Sequence, residues 1–165
     1  MRRWILPAFV LAAVLAAGFW VWHEFFPPPE RVIRLRLKQA AALASYSAKE
    51  APAAKLFNSQ KLAGFFTSDV VLRLNIPGYS QMLTGRDDLA QAALLARQHF
   101  TSFSAEFSDV LVTVAPDKQS AVVNLTAKAS SPGEMDFFVQ ELKLSLKRDG
   151  RDWLISRVET VKTLR

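Results

Sequence analysis

"SAVVNLTAKAS", Ser120–Ser130, alternates without a break: Ala121, Val123, Leu125, Ala127 and Ala129 fall on one side, Val122, Asn124, Thr126 and Lys128 on the other. Successive side chains of a strand leave opposite faces, so a period of two predicts a β-strand with one face buried and the other wetted. The next run, Met135–Lys147, repeats the pattern, with Phe138, Leu142, Leu144 and Leu146 on one face. "KRDGRDW", Lys147–Trp153, puts Asp149-Gly150 where a hairpin must reverse, and "WLISRVETVKTL" then supplies the last strand.

Toward the N-terminus, "SDVVLRLNIPG", Ser68–Gly78, sets Val70, Leu72, Leu74 and Ile76 against Val71, Arg73 and Asn75, and Pro77-Gly78 turns it into a short return strand, "SQMLTG". Three stretches have helical spacing instead. The first runs from Glu30 to about Ser47, with Ile33, Leu37, Ala40, Ala41 and Ala44 on one face and Arg31, Arg34 and Lys38 on another. The second, "AAKLFNSQKLAGFF", follows the break at Pro52. The third, "GRDDLAQAALLARQHFTSF", has Asp87 and Asp88 in its first turn, where the helix dipole favours carboxylates, and an apolar stripe of Leu89, Ala93, Ala96, Phe100 and Phe103. Three helices followed by long, mostly antiparallel strands predict an α+β fold with the helices on one face of the sheet.

Ahead of this domain, "WILPAFVLAAVLAAGFWVW", Trp4–Trp22, runs 19 residues without a charge. As a helix it would be roughly 28 Å long, about the thickness of a bilayer's hydrocarbon core. Trp4 at one end and Trp20, Trp22, Phe25 and Phe26 at the other match interfacial aromatic belts. The rival reading is a cleaved signal peptide, for which Arg2-Arg3 and the small residues up to Gly18 would serve, but the apolar run outlasts a usual h-region. The expected organisation is a transmembrane signal-anchor over residues 1–26, a proline spacer over 27–29 and the folded domain over 30–165. With three residues ahead of the span, the N-terminus is expected in the cytoplasm. The C-terminal domain is then expected in the periplasm, or outside, on a single pass of the inner (cell) membrane.

The net charge of +6 is concentrated. Glu30–Lys61 holds seven Lys and Arg against two Glu, whereas Leu62–Arg165 holds twelve of each sign. The excess is therefore juxtamembrane, where basic residues meet anionic head groups; Arg31, Arg34 and Lys38 are the expected membrane-surface residues. No basic–aromatic motif of a nucleic-acid binder occurs in the body, so nucleic acid is not an expected partner. The chain has no cysteine and two isolated histidines, which gives no metal-ligand spacing; no metal and no cofactor are expected.

"FFTSDVVLRL", "TGRDDLAQAA" and the closing "RDGRDWLISRVETV" together resemble the nuclear transport factor 2-like superfamily, which includes polyketide-cyclase-like and ketosteroid-isomerase-like domains. The resemblance covers roughly Arg31 to Arg165 and rests on fold determinants. It implies a cone: three helices packed on a curved sheet, a pocket at the wide end, and in many members a homodimer through the sheet. Members range from enzymes to binding scaffolds, so the resemblance alone does not choose a function.

By alternation, Asp136 and Gln140 share a face with Phe138 and Leu142, Arg157 and Glu159 share one with Trp153, Ile155 and Val161, and Tyr79 sits at a turn on the expected rim. Tyr79, Asp136, Gln140 and Arg157 are the candidate pocket residues, with Asp136 as a base and Tyr79 or Arg157 beside a developing enolate in an enzymatic reading. The stronger reading is that Asp136 is a solvated turn residue, and Arg157 a partner of Glu159 or Glu141. No assembled catalytic constellation is legible. The leading expectation is a membrane-anchored, non-catalytic interaction or accessory domain of the bacterial cell envelope, docking a partner protein. Its layout resembles the bitopic scaffolds of type IV secretion. The alternatives are a small-molecule-binding pocket protein and an isomerase- or cyclase-like enzyme. A reporter fused after Arg165 tests the topology: activity only outside the cytoplasm is expected, and cytoplasmic activity would overturn the assignment.

Overall fold

The computed structural model describes residues 27–76, 79–131, 133 and 135–161, apart from the side chains at 76, 79–81 and 135–137. The span Trp4–Trp22 lies outside the described residues, and no described helix is long and apolar enough to cross a membrane. Three helices, α1 (Pro29–Ala44), α2 (Pro52–Ala63) and α3 (Arg86–His99), accompany six strands. These are β1 (Phe66–Ile76), β2 (Tyr79–Thr84), β3 (Ser104–Val114), β4 (Ser120–Ser131), β5 (Met135–Asp149) and β6 (Asp152–Thr160). They form one sheet in the order β2-β1-β6-β5-β4-β3, antiparallel throughout except where β1 runs parallel to β6. The α+β class and the three-helix layer read from the sequence hold.

Local chemistry sets the helix ends. Pro29 and Pro52 each occupy a first-turn position, where the missing N–H is no loss and the fixed φ suits the helix. Pro52 thus opens α2 as well as breaking the chain before it. The first helix stops at Ala44, short of the expected Ser47: Ser45 turns extended, donates its hydroxyl to the Ala41 carbonyl (2.9 Å) and accepts the Ala105 N–H (2.9 Å). The third helix ends at His99, so Phe100 and Phe103 are not on its stripe; Phe103 exchanges backbone hydrogen bonds with Tyr46 (2.8 and 3.0 Å). Gly85, at φ +94°, joins β2 to α3 in a conformation that disfavours any side chain.

The core lies between α1 and one sheet face. Ile33 and Leu37 of α1 meet Ala121, Val123 and Leu125 of β4, Leu144 and Leu146 of β5, and Trp153, Ile155 and Val158 of β6. The face read from Ser120–Ser130 is therefore the inner one, and β4 and β5 keep it in register, with Val123 opposite Leu144 and Leu125 opposite Leu142.

Alternation fails on β6. Leu146 pairs with Ile155 but Ser145 pairs with Arg157, so Ser156 is an extra residue, a bulge that flips the parity of everything after it. Val158 lands on the inner face, and Arg157 and Glu159 land on the outer face, away from Trp153 and Ile155. A second extra residue on β3 stands between the pairs Ser108–Thr126 and Leu111–Asn124, where Asp109 has φ +52°.

Trp153 is 3% exposed at the heart of this core. Replacing Trp153 with Ala should lower stability by about 3–5 kcal/mol in chemical denaturation, the usual range for a buried large aromatic. A loss under about 1 kcal/mol would show that its neighbours do not depend on it.

Candidate functional site

Burial changes along the inner face. On β4, Ala121, Val123 and Leu125 are buried, while Ala127 and Ala129 are only partly so. On β5, Leu146 and Leu144 are buried, while Leu142, Gln140 and Phe138 are partly exposed. The two gradients coincide because the strands are paired: Ala127 lies opposite Gln140 and Ala129 opposite Phe138. On β3, Phe107 pairs with Ala127 and Ala105 with Ala129, and both are partly exposed. One end of the inner face is thus filled by Ala, Val, Leu, Ile and Trp side chains. The other is less well covered: it carries three alanines, two phenylalanines and Leu142, all partly exposed, with Phe107, Ala127 and Leu142 packed on the edge of the core.

Gln140 is a polar side chain at this end among the described residues, and its amide is already engaged. Nε2 donates to the carbonyls of Val161 (3.3 Å) and Glu141 (3.1 Å), bracing the end of β6. Thr160 does the same at β1, accepting the Asn75 N–H (3.2 Å). Of the other sequence candidates, Tyr79 begins β2 and pairs with Ile76, and Asp136 lies in β5; the side chains of both are outside the described residues. Arg157 corrects the reading made from alternation. The Ser156 bulge puts it on the outer face, exposed, with Nη1 3.4 Å from Glu159 Oε1. Gln140 and Arg157 are therefore not brought together. Among the described residues no three His, Cys, Asp or Glu cluster in a way that could hold a metal ion.

The residue that spacing alone did not single out is Arg97. It sits on α3 with a side chain 1% exposed, beside Glu50, which is 11% exposed and lies between α1 and α2. Nη1 donates to both carboxylate oxygens of Glu50 (2.8 and 3.0 Å), and Nη2 donates to the Leu43 carbonyl at the end of α1. Asn58 of α2 donates to Glu50 Oε1 (2.6 Å), and Lys55 donates to the Arg97 carbonyl (2.8 Å). The guanidinium also lies over the Tyr46 ring, 4.7 Å from its centroid, and the Tyr46 hydroxyl donates to the Ala96 carbonyl (2.8 Å). All three helices converge on this pair. Tyr46 passes the fixation on to β3 through its stacking on Phe103. The signal was present in the sequence: Arg97 stands four residues after Ala93 and eight after Leu89, on the same helical stripe.

No protein-family model matches the chain, and no curated protein matches it in sequence. Solved structures do match. A nuclear transport factor 2-like protein with a cystatin-like fold from Novosphingobium aromaticivorans superimposes with a TM-score of 0.60 at 16% identity, over 88% of this chain and 86% of its own. A second nuclear transport factor 2-like protein, of unknown function, from Pseudomonas putida gives 0.62 at 12% identity, over 82% and 87%. A Novosphingobium aromaticivorans protein named as a candidate scytalone dehydratase gives 0.58 at 16%, over 81% and 83%. The fold is cystatin-like, of the nuclear transport factor 2 type. At such identities the likeness carries architecture alone, and the resemblance noted in the sequence is upheld at that level.

Replacing Arg97 with Met leaves the Glu50 carboxylate buried without its cation. The expected loss is about 3–5 kcal/mol in equilibrium unfolding, the range for breaking one side of a buried pair. A loss within about 0.5 kcal/mol would mean that the pair is solvated and braces nothing.

Proposed function

We propose that this chain is a membrane-anchored, non-catalytic binding domain of the bacterial cell envelope, and that its inner-face concavity takes an apolar small molecule. The observation that carries the reading is the partly exposed end of the inner face, where Ala105, Ala127, Ala129 and Phe138 leave apolar surface uncovered while Val123, Leu125, Leu144 and Leu146 on the neighbouring stretch are buried. Partly exposed apolar surface in a concave site is what an apolar ligand would cover. Gln140, held by two backbone carbonyls, shapes the floor without offering a free acid or base. The anchor is inferred from the uncharged span Trp4–Trp22, and the periplasmic side from Arg2 and Arg3 ahead of it.

Docking of a partner protein is the second reading. Leu56 and Phe57 favour it, two adjacent apolar side chains on α2 that are 49% and 63% exposed. Native mass spectrometry of the full chain, released from its membrane mimic, separates the two. An apolar small-molecule adduct is expected on the wild type and should be lost from the Ala127→Phe/Ala129→Phe variant, whose thermal unfolding checks that it folds. A wild type without any adduct, or an adduct that survives filling of the concavity, would overturn the small-molecule reading.

A further inference from the structure

The basic side of α1 is a single exposed arc. At about 100° per residue, Arg31, Arg34, Leu35, Lys38 and Ala42 fall together, opposite the buried Ile33, Leu37 and Ala40, with buried Ala41 beside Arg34 at the edge of the arc. Three cations span two turns; Arg34 donates Nη1 to the Val110 carbonyl of β3, and Arg31 and Lys38 are exposed on either side of it. Leu35 projects from their midst, 56% exposed. A leucine set among cations on a solvent-facing helix side gains nothing from the fold beneath it. It fits the boundary between head groups and acyl chains, with the cations at the level of the phosphates.

The chain also limits where α1 can be. Anchoring of residues 1–26 leaves Pro27 and Pro28 before the helix begins at Pro29, and so short an extended spacer reaches less than about 10 Å. The helix start is thereby held at the membrane surface. An upright α1 would carry its C-terminal end about 20 Å above that surface and would take Lys38 and Leu35 out of reach.

We infer that α1 instead lies along an anionic bilayer, with Arg31 and Lys38 on phospholipid head groups and Leu35 between them, while Arg34 stays on the Val110 carbonyl of β3. The inference rests on the anchored reading of the chain and extends it.

The full chain, which has no native cysteine to remove, tests this in proteoliposomes. A fluorophore is placed on Ala42→Cys, on the arc but far from the anchor, or on Asn124→Cys, exposed on the outer sheet face. The quencher is carried on the lipid head groups, in phosphatidylglycerol-containing and in pure phosphatidylcholine vesicles. Several-fold stronger quenching at position 42 than at 124 is expected in the anionic vesicles. That difference should fall in phosphatidylcholine, in high salt and in the Arg31→Glu/Lys38→Glu background. Equal quenching at the two positions in carbonate-resistant proteoliposomes would overturn the posture and leave the anchor standing; an acidic protein partner would then be the occupant of the arc. Release of the wild-type chain by carbonate would remove the anchor and the posture together.

Discussion

A guanidinium 1% exposed to water is the constraint around which the helix layer is arranged. Taking Arg97 and Glu50 out of solvent costs several kcal/mol per ion, and only close, multiple hydrogen bonds offset it. Those bonds come from three helices and the loop between two of them: the Leu43 carbonyl, both Glu50 oxygens, and Asn58 behind the carboxylate. None of these groups can move far without stranding a charge. The end of α1 is thereby fixed against β3 through Tyr46 and Phe103, and α1 in turn roofs the inner face of the sheet.

That roof divides the half-cone into two physical regimes. Where Ile33 and Leu37 press on Val123, Leu144 and Ile155, the volume is filled and water is excluded. Further along β3 and β4, Ala105, Ala127 and Ala129 are only partly buried while the backbone pairing continues. The side chains of this end are mainly apolar. The polar groups at its edge, Gln140 and Thr160, are engaged with backbone and hold the strand ends in place.

Much of this was legible in the sequence. The alternation of Ser120–Ser130 and Met135–Lys147 identified the inner face correctly because those strands pair with each other through ten consecutive registers, Ser120–Lys147 to Ala129–Phe138. The same rule misplaced Arg157, because one inserted residue at Ser156 reverses every later side chain and leaves no compositional trace. The first helix's end was overrun because the Tyr46 N–H bonds the Phe103 carbonyl in place of the next helical one. Arg97 stood in plain view on the apolar stripe of α3, but a charge is ordinarily assigned to water, and its partner is 47 residues away. Of the four candidate pocket residues, Gln140 reaches the concavity and Arg157 does not; Tyr79 and Asp136 carry side chains outside the described residues.

The central claim is that one end of the inner face is open and the other is solid. Methyl relaxation by dissolved oxygen in the isotope-labelled full chain measures this directly. The methyls of Ala127, Ala129 and Leu142 should relax strongly, and those of Val123, Leu144 and Leu146 weakly. Equal protection of the two sets would mean that the concavity is closed, and the binding role assigned to it would fail.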